Sequence, residues 1–157
     1  MGCEKRTGPS TSGCVCDVVR AILDIQDNVQ DDDCTCGSNC FMEPLGAIRP
    51  NMVQNRVNTR VFVLKNADGT PFHAFFRGCD EACVSIYFRV EDVFDNCCAT
   101  LRLLKPLGAD NQPVDLAGDL SQVCEVENFE ATNDCVTVDL SCFCAIQCIE
   151  DVNLDLC

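Results

Sequence analysis

Apolar positions change period along the chain. From Cys14 onward, Val15, Val18, Val19, Ile22, Leu23, Gln26 and Val29 recur at helical spacing, with Asp17, Arg20, Asp24 and Asp27 mostly on the other side. That stripe predicts an amphipathic helix over residues 14–30. Asp31, Asp32 and Asp33 end it, because carboxylates oppose the dipole at a helix C-terminus. Residues 1–13 are polar and rich in Gly, Ser, Thr and Pro, and read as a flexible N-terminal arm. Residues 31–58, punctuated by Gly37, Pro44, Gly46 and Pro50, read as a Cys-rich loop long enough to imply a function or a partner.

Beyond residue 58 the period shortens to two. "VFVLKNADGTPFHAFF" sets two apolar runs around Asp68-Gly69, a hairpin signal. Further strands are expected at "CVSIYFRVEDV", "CATLRLLKPL", "SQVCEVENF" and "CVTVDLSCFCAIQCIEDVNL", with turn-rich segments between them. Val84, Ile86, Phe88 and Val90 alternate with Ser85, Tyr87, Arg89 and Glu91, so one face is expected to be buried. In the last segment Val136, Val138, Leu140, Cys142, Cys144, Ile146 and Cys148 share one parity and would face the core together. Short strands with few helical runs predict a mainly β fold, an antiparallel β-sandwich over residues 59–157 joined to the helix in a single domain, 14–157.

Composition changes this picture at one point. A chain of 157 residues can bury a substantial core unaided, yet 16 of its residues are cysteine, a density typical of small disulfide scaffolds. The net charge of −14 argues against nucleic acid and anionic membrane surfaces, which need clustered Lys and Arg. No apolar segment approaches the roughly 20 residues of a membrane helix, and the first residues lack the apolar core of a secretion signal. Synthesis in a reducing compartment is therefore expected, with any disulfides formed later.

The spacing CxCxxxC occurs at Cys34, Cys36, Cys40 and again at Cys142, Cys144, Cys148, with a further CxC at Cys14 and Cys16. Structural zinc favours CxxC knuckles, and none is present. A CxC on an extended strand holds its sulfurs about 7 Å apart along one face, too far to bond each other. Cys142, Cys144 and Cys148 therefore read as buried thiols or intrachain partners, with metal ligation an open alternative. Cys3, Cys14, Cys16 and Cys157 lie at or near the chain ends and Cys34, Cys36 and Cys40 in the polar loop, where thiols reach neighbours; these seven are candidates for intermolecular cross-links. Cys97 and Cys98 are adjacent and should face opposite ways.

Enzymatic signatures are missing from the sequence. His73 is the only histidine, no nucleophile motif surrounds any cysteine, and there is no phosphate loop, GxSxG, HExxH or EF-hand spacing. No catalytic residue, metal ligand or cofactor is assigned. A thiol-based metal-binding or redox protein is the alternative reading, and a cysteine nucleophile working with His73 a third.

At "FRVE" (88–91), "CCATLRLL" (97–104), "VDLSCFCAIQC" (138–148) and the helical "CVCDVVRAILDIQ", the chain resembles the CotY/CotZ/ExsY family of spore coat crust and exosporium proteins. The resemblance spans most of the chain, although the His-rich segments of some members are lacking. It implies a non-enzymatic structural protein of the outermost spore layers, made in the mother cell. It also implies self-assembly into hexagonal two-dimensional arrays, alongside other coat or exosporium proteins, hardened by disulfides.

Overall fold

The computed structural model describes residues 13–29, 57–78, 83–117 and 120–156. The helix α1 (Cys14–Val29) begins where the Gly13 carbonyl accepts the first helical bond from the Asp17 N–H. Seven strands follow among the described residues: β1 (Thr59–Lys65), β2 (Ala74–Phe75), β3 (Val84–Ser85), β4 (Phe88–Val93), β5 (Cys98–Leu107), β6 (Asn128–Asp139) and β7 (Ala145–Val152). Five form one antiparallel sheet in the order β6-β5-β4-β1-β7, and β2 and β3 form a short separate ribbon. The mainly β, antiparallel class with an N-terminal helix is thus as the sequence indicates. Among the described residues, however, the second sheet is only that two-stranded ribbon, short of the sandwich expected.

A helix and irregular chain do the covering instead. On one face Val15, Cys16, Val19 and Ile22 of α1 pack on Phe62, Leu64, Phe88, Val90 and Leu101. On the other, Val61, Val63 and Leu104 lie under Val114, Leu116 and Leu154. A strand covered on both faces loses its alternation, and β1 buries Val61, Phe62, Val63 and Leu64 in succession. For the same reason Ser85, Tyr87 and Arg89, expected to face solvent, are buried. Their polar atoms are satisfied: the Ser85 hydroxyl donates to the Leu104 carbonyl, and Arg89 donates to the Thr59 hydroxyl at 2.8 Å and pairs with Glu91 at 2.9 Å.

Three other expectations are corrected. The turn at Asp68-Gly69 forms, with the Asn66 carbonyl accepting from the Gly69 N–H, but the chain leaves the sheet after Pro71 and Phe72, and β2 pairs with β3 rather than β1. "SQVCEVENF" begins as a 3₁₀ turn (Leu120–Glu125) before β6. The last segment is not one strand, since a second 3₁₀ turn (Leu140–Cys142), capped by the Asp139 carboxylate accepting from the Ser141 N–H, breaks it. Leu140 and Phe143 plug the sheet end as the chain crosses from one edge strand to the other.

The arm and the segment 30–56, which contain Cys3, Cys34, Cys36 and Cys40, lie outside the described residues, as do Cys79 and Cys157.

Candidate assembly surface

The cysteines sort by the element that carries each one. Cys16 lies on the buried stripe of α1 and bonds Cys97 in the β4–β5 turn, with Cα atoms 5.7 Å apart and 81 residues between them in sequence. Cys97 has φ +64°, the left-handed conformation that the tight Phe94–Cys97 turn imposes. That twist aims its side chain at the helix, while Cys98, the next residue, is only partly covered and free. Cys16, expected among the chain-linking thiols, is instead fully buried in an intrachain bridge, because helical spacing places it with Val19 rather than with Cys14.

Two of the triplet, Cys142 and Cys148, are also placed differently from expectation. The 3₁₀ turn resets the parity, so Cys142 and Cys148 are exposed free thiols rather than core residues. Cys144 is disulfide-bonded, as is Cys83. Cys14 sits free and exposed on the first turn of α1. Two more exposed free thiols, Cys124 and Cys135, stand outside the candidates that the sequence suggests. Alternation is the available signal for Cys135, since it is out of phase with Val136 and Val138.

The sheet has two open flanks among the described residues. β6 forms one edge and carries Cys135; β7 forms the other and carries Cys148, followed by the exposed Ile149. Both edges are studded with carboxylates, Glu130, Asp134 and Asp139 on β6 and Glu150 and Asp151 on β7. Charge on an edge strand discourages indiscriminate strand addition. Partial burial pushes the Cys135 thiol pKa up, with Arg102 opposing and Glu91 and Asp134 reinforcing the shift.

Salt bridges hold this framework rigid behind the edges. Arg60 forks onto Asp151 at 2.7 Å through two bonds, tying β7 to β1. Arg102 bonds Glu91 at 2.6 Å and the Leu156 carbonyl at 3.1 Å, fastening the C-terminal segment. Asn58 exchanges two bonds with Leu154 for the same purpose. The exposed thiols are therefore mounted on a pre-organised body.

His73 is exposed and meets Phe75 edge-on, with ring centroids 5.9 Å apart. Among the described residues, no group of three or more His, Cys, Asp or Glu side chains is arranged to hold a metal ion, and no helix is long and apolar enough to cross a membrane.

Comparison with known proteins agrees with the resemblance in the motifs. The sequence matches the family described as Spore coat protein Z over residues 1–151. It is 35% identical over 143 residues to Spore coat protein Z of Bacillus subtilis (strain 168), covering 88% of this chain and 90% of that protein. No solved structure gives a significant match. With its cysteine-rich, mainly β body and a match of this extent, the chain belongs to the CotZ family of structural proteins of the spore coat.

Proposed function

We propose that this protein is a self-assembling barrier subunit of the outer spore layer, coat crust or exosporium. Copies pack with one another and with other coat proteins into an ordered, hexagonal two-dimensional array, which disulfides between chains then lock. The observation that carries this reading is the division among the cysteines: a buried bridge inside the fold, and free thiols on both edge strands. A subunit with reactive groups at both flanks can be linked on both sides, so its cross-links propagate.

Each link forms when two thiols give up two protons and two electrons to an external oxidant, such as oxygen or a small disulfide. Cys14, Cys124 and Cys142 offer additional links. Cys3, Cys34, Cys36, Cys40 and Cys157 remain candidates from their positions in the sequence. Synthesis in the reducing mother cell lets noncovalent contacts set the geometry, and lysis of that cell then delivers the oxidant.

The test is electron microscopy of purified protein with and without reductant, together with non-reducing gels. The reading expects ordered sheets in both conditions, with resistance to hot detergent only after oxidation. Cys135→Ser with Cys148→Ser should keep the sheets and deplete the high-mass species on the gel, leaving only what the other thiols link. Because its pKa is raised, Cys135 forms thiolate at higher pH than an ordinary cysteine. Its share of the cross-links should therefore grow into the alkaline range and vanish in Cys135→Ser. A monomer in both conditions at high concentration would overturn the proposal.

A further inference from the structure

The turn that follows β1 carries a reactive pair. Of the nine glycines in the chain, Gly69 is the only one preceded by Asp or Asn. An aspartate followed by glycine is prone to a spontaneous rearrangement, because glycine has no side chain to shield its amide nitrogen from the neighbouring carboxyl group. That nitrogen attacks the Asp68 side-chain carboxyl carbon, a C–N bond forms and one water leaves, giving a five-membered succinimide. Water then adds at the main-chain carbonyl, the bond from that carbonyl to the nitrogen breaks, and the chain continues through the former side chain as isoaspartate. One water is lost and one regained, and nothing is oxidised or reduced. Gly69 is sterically open, with φ +84° and no atom beyond its chain neighbours within 4 Å of where a side-chain carbon would stand.

Hydrogen bonds restrain what sterics leave open. The Gly69 N–H donates to the Asn66 carbonyl at 3.0 Å, so the attacking nitrogen must give up a bond before it turns on the carboxyl group. The carboxylate is pinned toward Thr70: Asp68 Oδ1 accepts from the Thr70 N–H at 3.0 Å and from the Thr70 hydroxyl at 2.6 Å. Those bonds, the hydroxyl's above all, hold the Asp68 carboxyl pKa below its usual range, and a carboxylate is a poorer electrophile than the neutral acid. Asn66 completes the set, its Nδ2 donating to the Thr70 hydroxyl at 3.3 Å and its N–H to the Thr70 carbonyl at 2.9 Å.

We infer that Asp68-Gly69 is the site at which this chain ages by isoaspartate formation, and that the bonds among Asn66, Asp68, Gly69 and Thr70 slow the reaction while the turn is folded. The lesion reaches the core. Isoaspartate inserts one methylene into the main chain inside the turn, directly ahead of the Lys65–Pro71 bridge and of the Phe72 N–H bond to the Leu64 carbonyl at 2.8 Å. That register positions the Phe72 ring, which stacks on Phe88 and meets Phe143, with centroids 5.5 and 5.2 Å apart. The chemistry needs no neighbouring copy, so it stands apart from the array reading.

The test ages full-length protein at neutral pH, folded and in urea, and separates the tryptic peptide of residues 66–77 into its aspartyl and isoaspartyl forms. Folded wild type should isomerise at Asp68 at least about tenfold more slowly than the unfolded chain. Thr70→Val removes the hydroxyl that Asp68 accepts from and keeps the backbone bonds and a similar shape. Thermal melts establish that this variant folds. Folded, it should isomerise about threefold or more faster than the wild type, and in urea at the wild-type rate. Folded and unfolded wild type ageing alike, or folded Thr70→Val ageing as the wild type does, would overturn the restraint. Isoaspartate accumulating at another residue of the folded chain while Asp68 stays intact would overturn the site. Chains enriched in isoaspartate should melt below fresh protein, and an equal melting temperature would overturn the reach of the lesion to Phe72.

Discussion

Gln26 is a polar residue on the buried stripe of α1, only 2% exposed. β1 and β4 pair at Phe62 and Phe88, and an unbroken antiparallel ladder would next pair Arg60 with Val90. The strands part there, and the Gln26 amide bridges them: its Oε1 accepts from the Arg60 N–H at 3.0 Å and its Nε2 donates to the Val90 carbonyl at 3.0 Å. A side chain on a helix thus stands in for a missing rung of the sheet. Gln26→Leu keeps a similar size and strips the Arg60 N–H of its partner, while the Val90 carbonyl keeps only the longer bond from Arg89 at 3.3 Å; a backbone group buried unpaired costs about 1–3 kcal/mol. Urea unfolding of Gln26→Leu should show a loss of about 1–3 kcal/mol; a loss under about 0.5 kcal/mol would mean the strands close up without it. The stripe pattern places Gln26 on the inner face, but its bonding is not legible in the sequence, because nothing local says that two strands far along the chain will diverge beneath it.

At the scale of elements, the question is what seats the helix. Arg20 donates to the carbonyls of Phe94 and Asp95 at 3.0 and 3.2 Å, and the Cys16–Cys97 bridge joins α1 to the same turn. A lone helix of 16 residues is marginal without such docking. A cross-link across 81 residues restricts the unfolded chain by about 4 kcal/mol in the loop-entropy account. Cys16→Ser and Cys97→Ser should each lower unfolding free energy by about that amount, and reductant should lower wild-type protein at least as far, since it also opens the disulfides of Cys83 and Cys144. If the variants lose less than about 1 kcal/mol, apolar packing alone seats the helix. Helix and strand types are legible here because periodicity reports which face is buried, and β5 (Cys98–Leu107) matches its sequence segment residue for residue. The break between β6 and β7 is hidden because alternation runs on through Leu140 to Cys148. Asp139 and Ser141, a side chain and a backbone N–H two residues apart, are the only local signs of a turn. That one turn moves Cys142 and Cys148 from core to surface, and the pairing of Cys16 with Cys97 depends on tertiary contact that no spacing encodes.

For the whole molecule, the governing quantity is a net charge of −14 on every copy. Four of the described cations, Arg60, Arg77, Arg89 and Arg102, are engaged in ion pairs within the chain, which leaves little positive charge to offset the exposed carboxylates. Two copies approaching each other therefore repel over the distance that the surrounding salt permits, about 30 Å at 0.01 M and about 8 Å at 0.15 M ionic strength. A contact between unlike charges on two copies would be attractive and would be weakened by the same screening, but it would be one pair of charges set against the whole field. Repulsion should dominate the salt response, so adding salt should speed assembly of reduced protein. Light scattering should show the rate rising by on the order of tenfold between 0.01 and 0.15 M monovalent salt. The rise should then flatten, since further salt shortens a screening length already comparable to the spacing of surface groups. Slower assembly at higher salt would mean that specific ion pairs, rather than shape and apolar contact, hold neighbouring copies together.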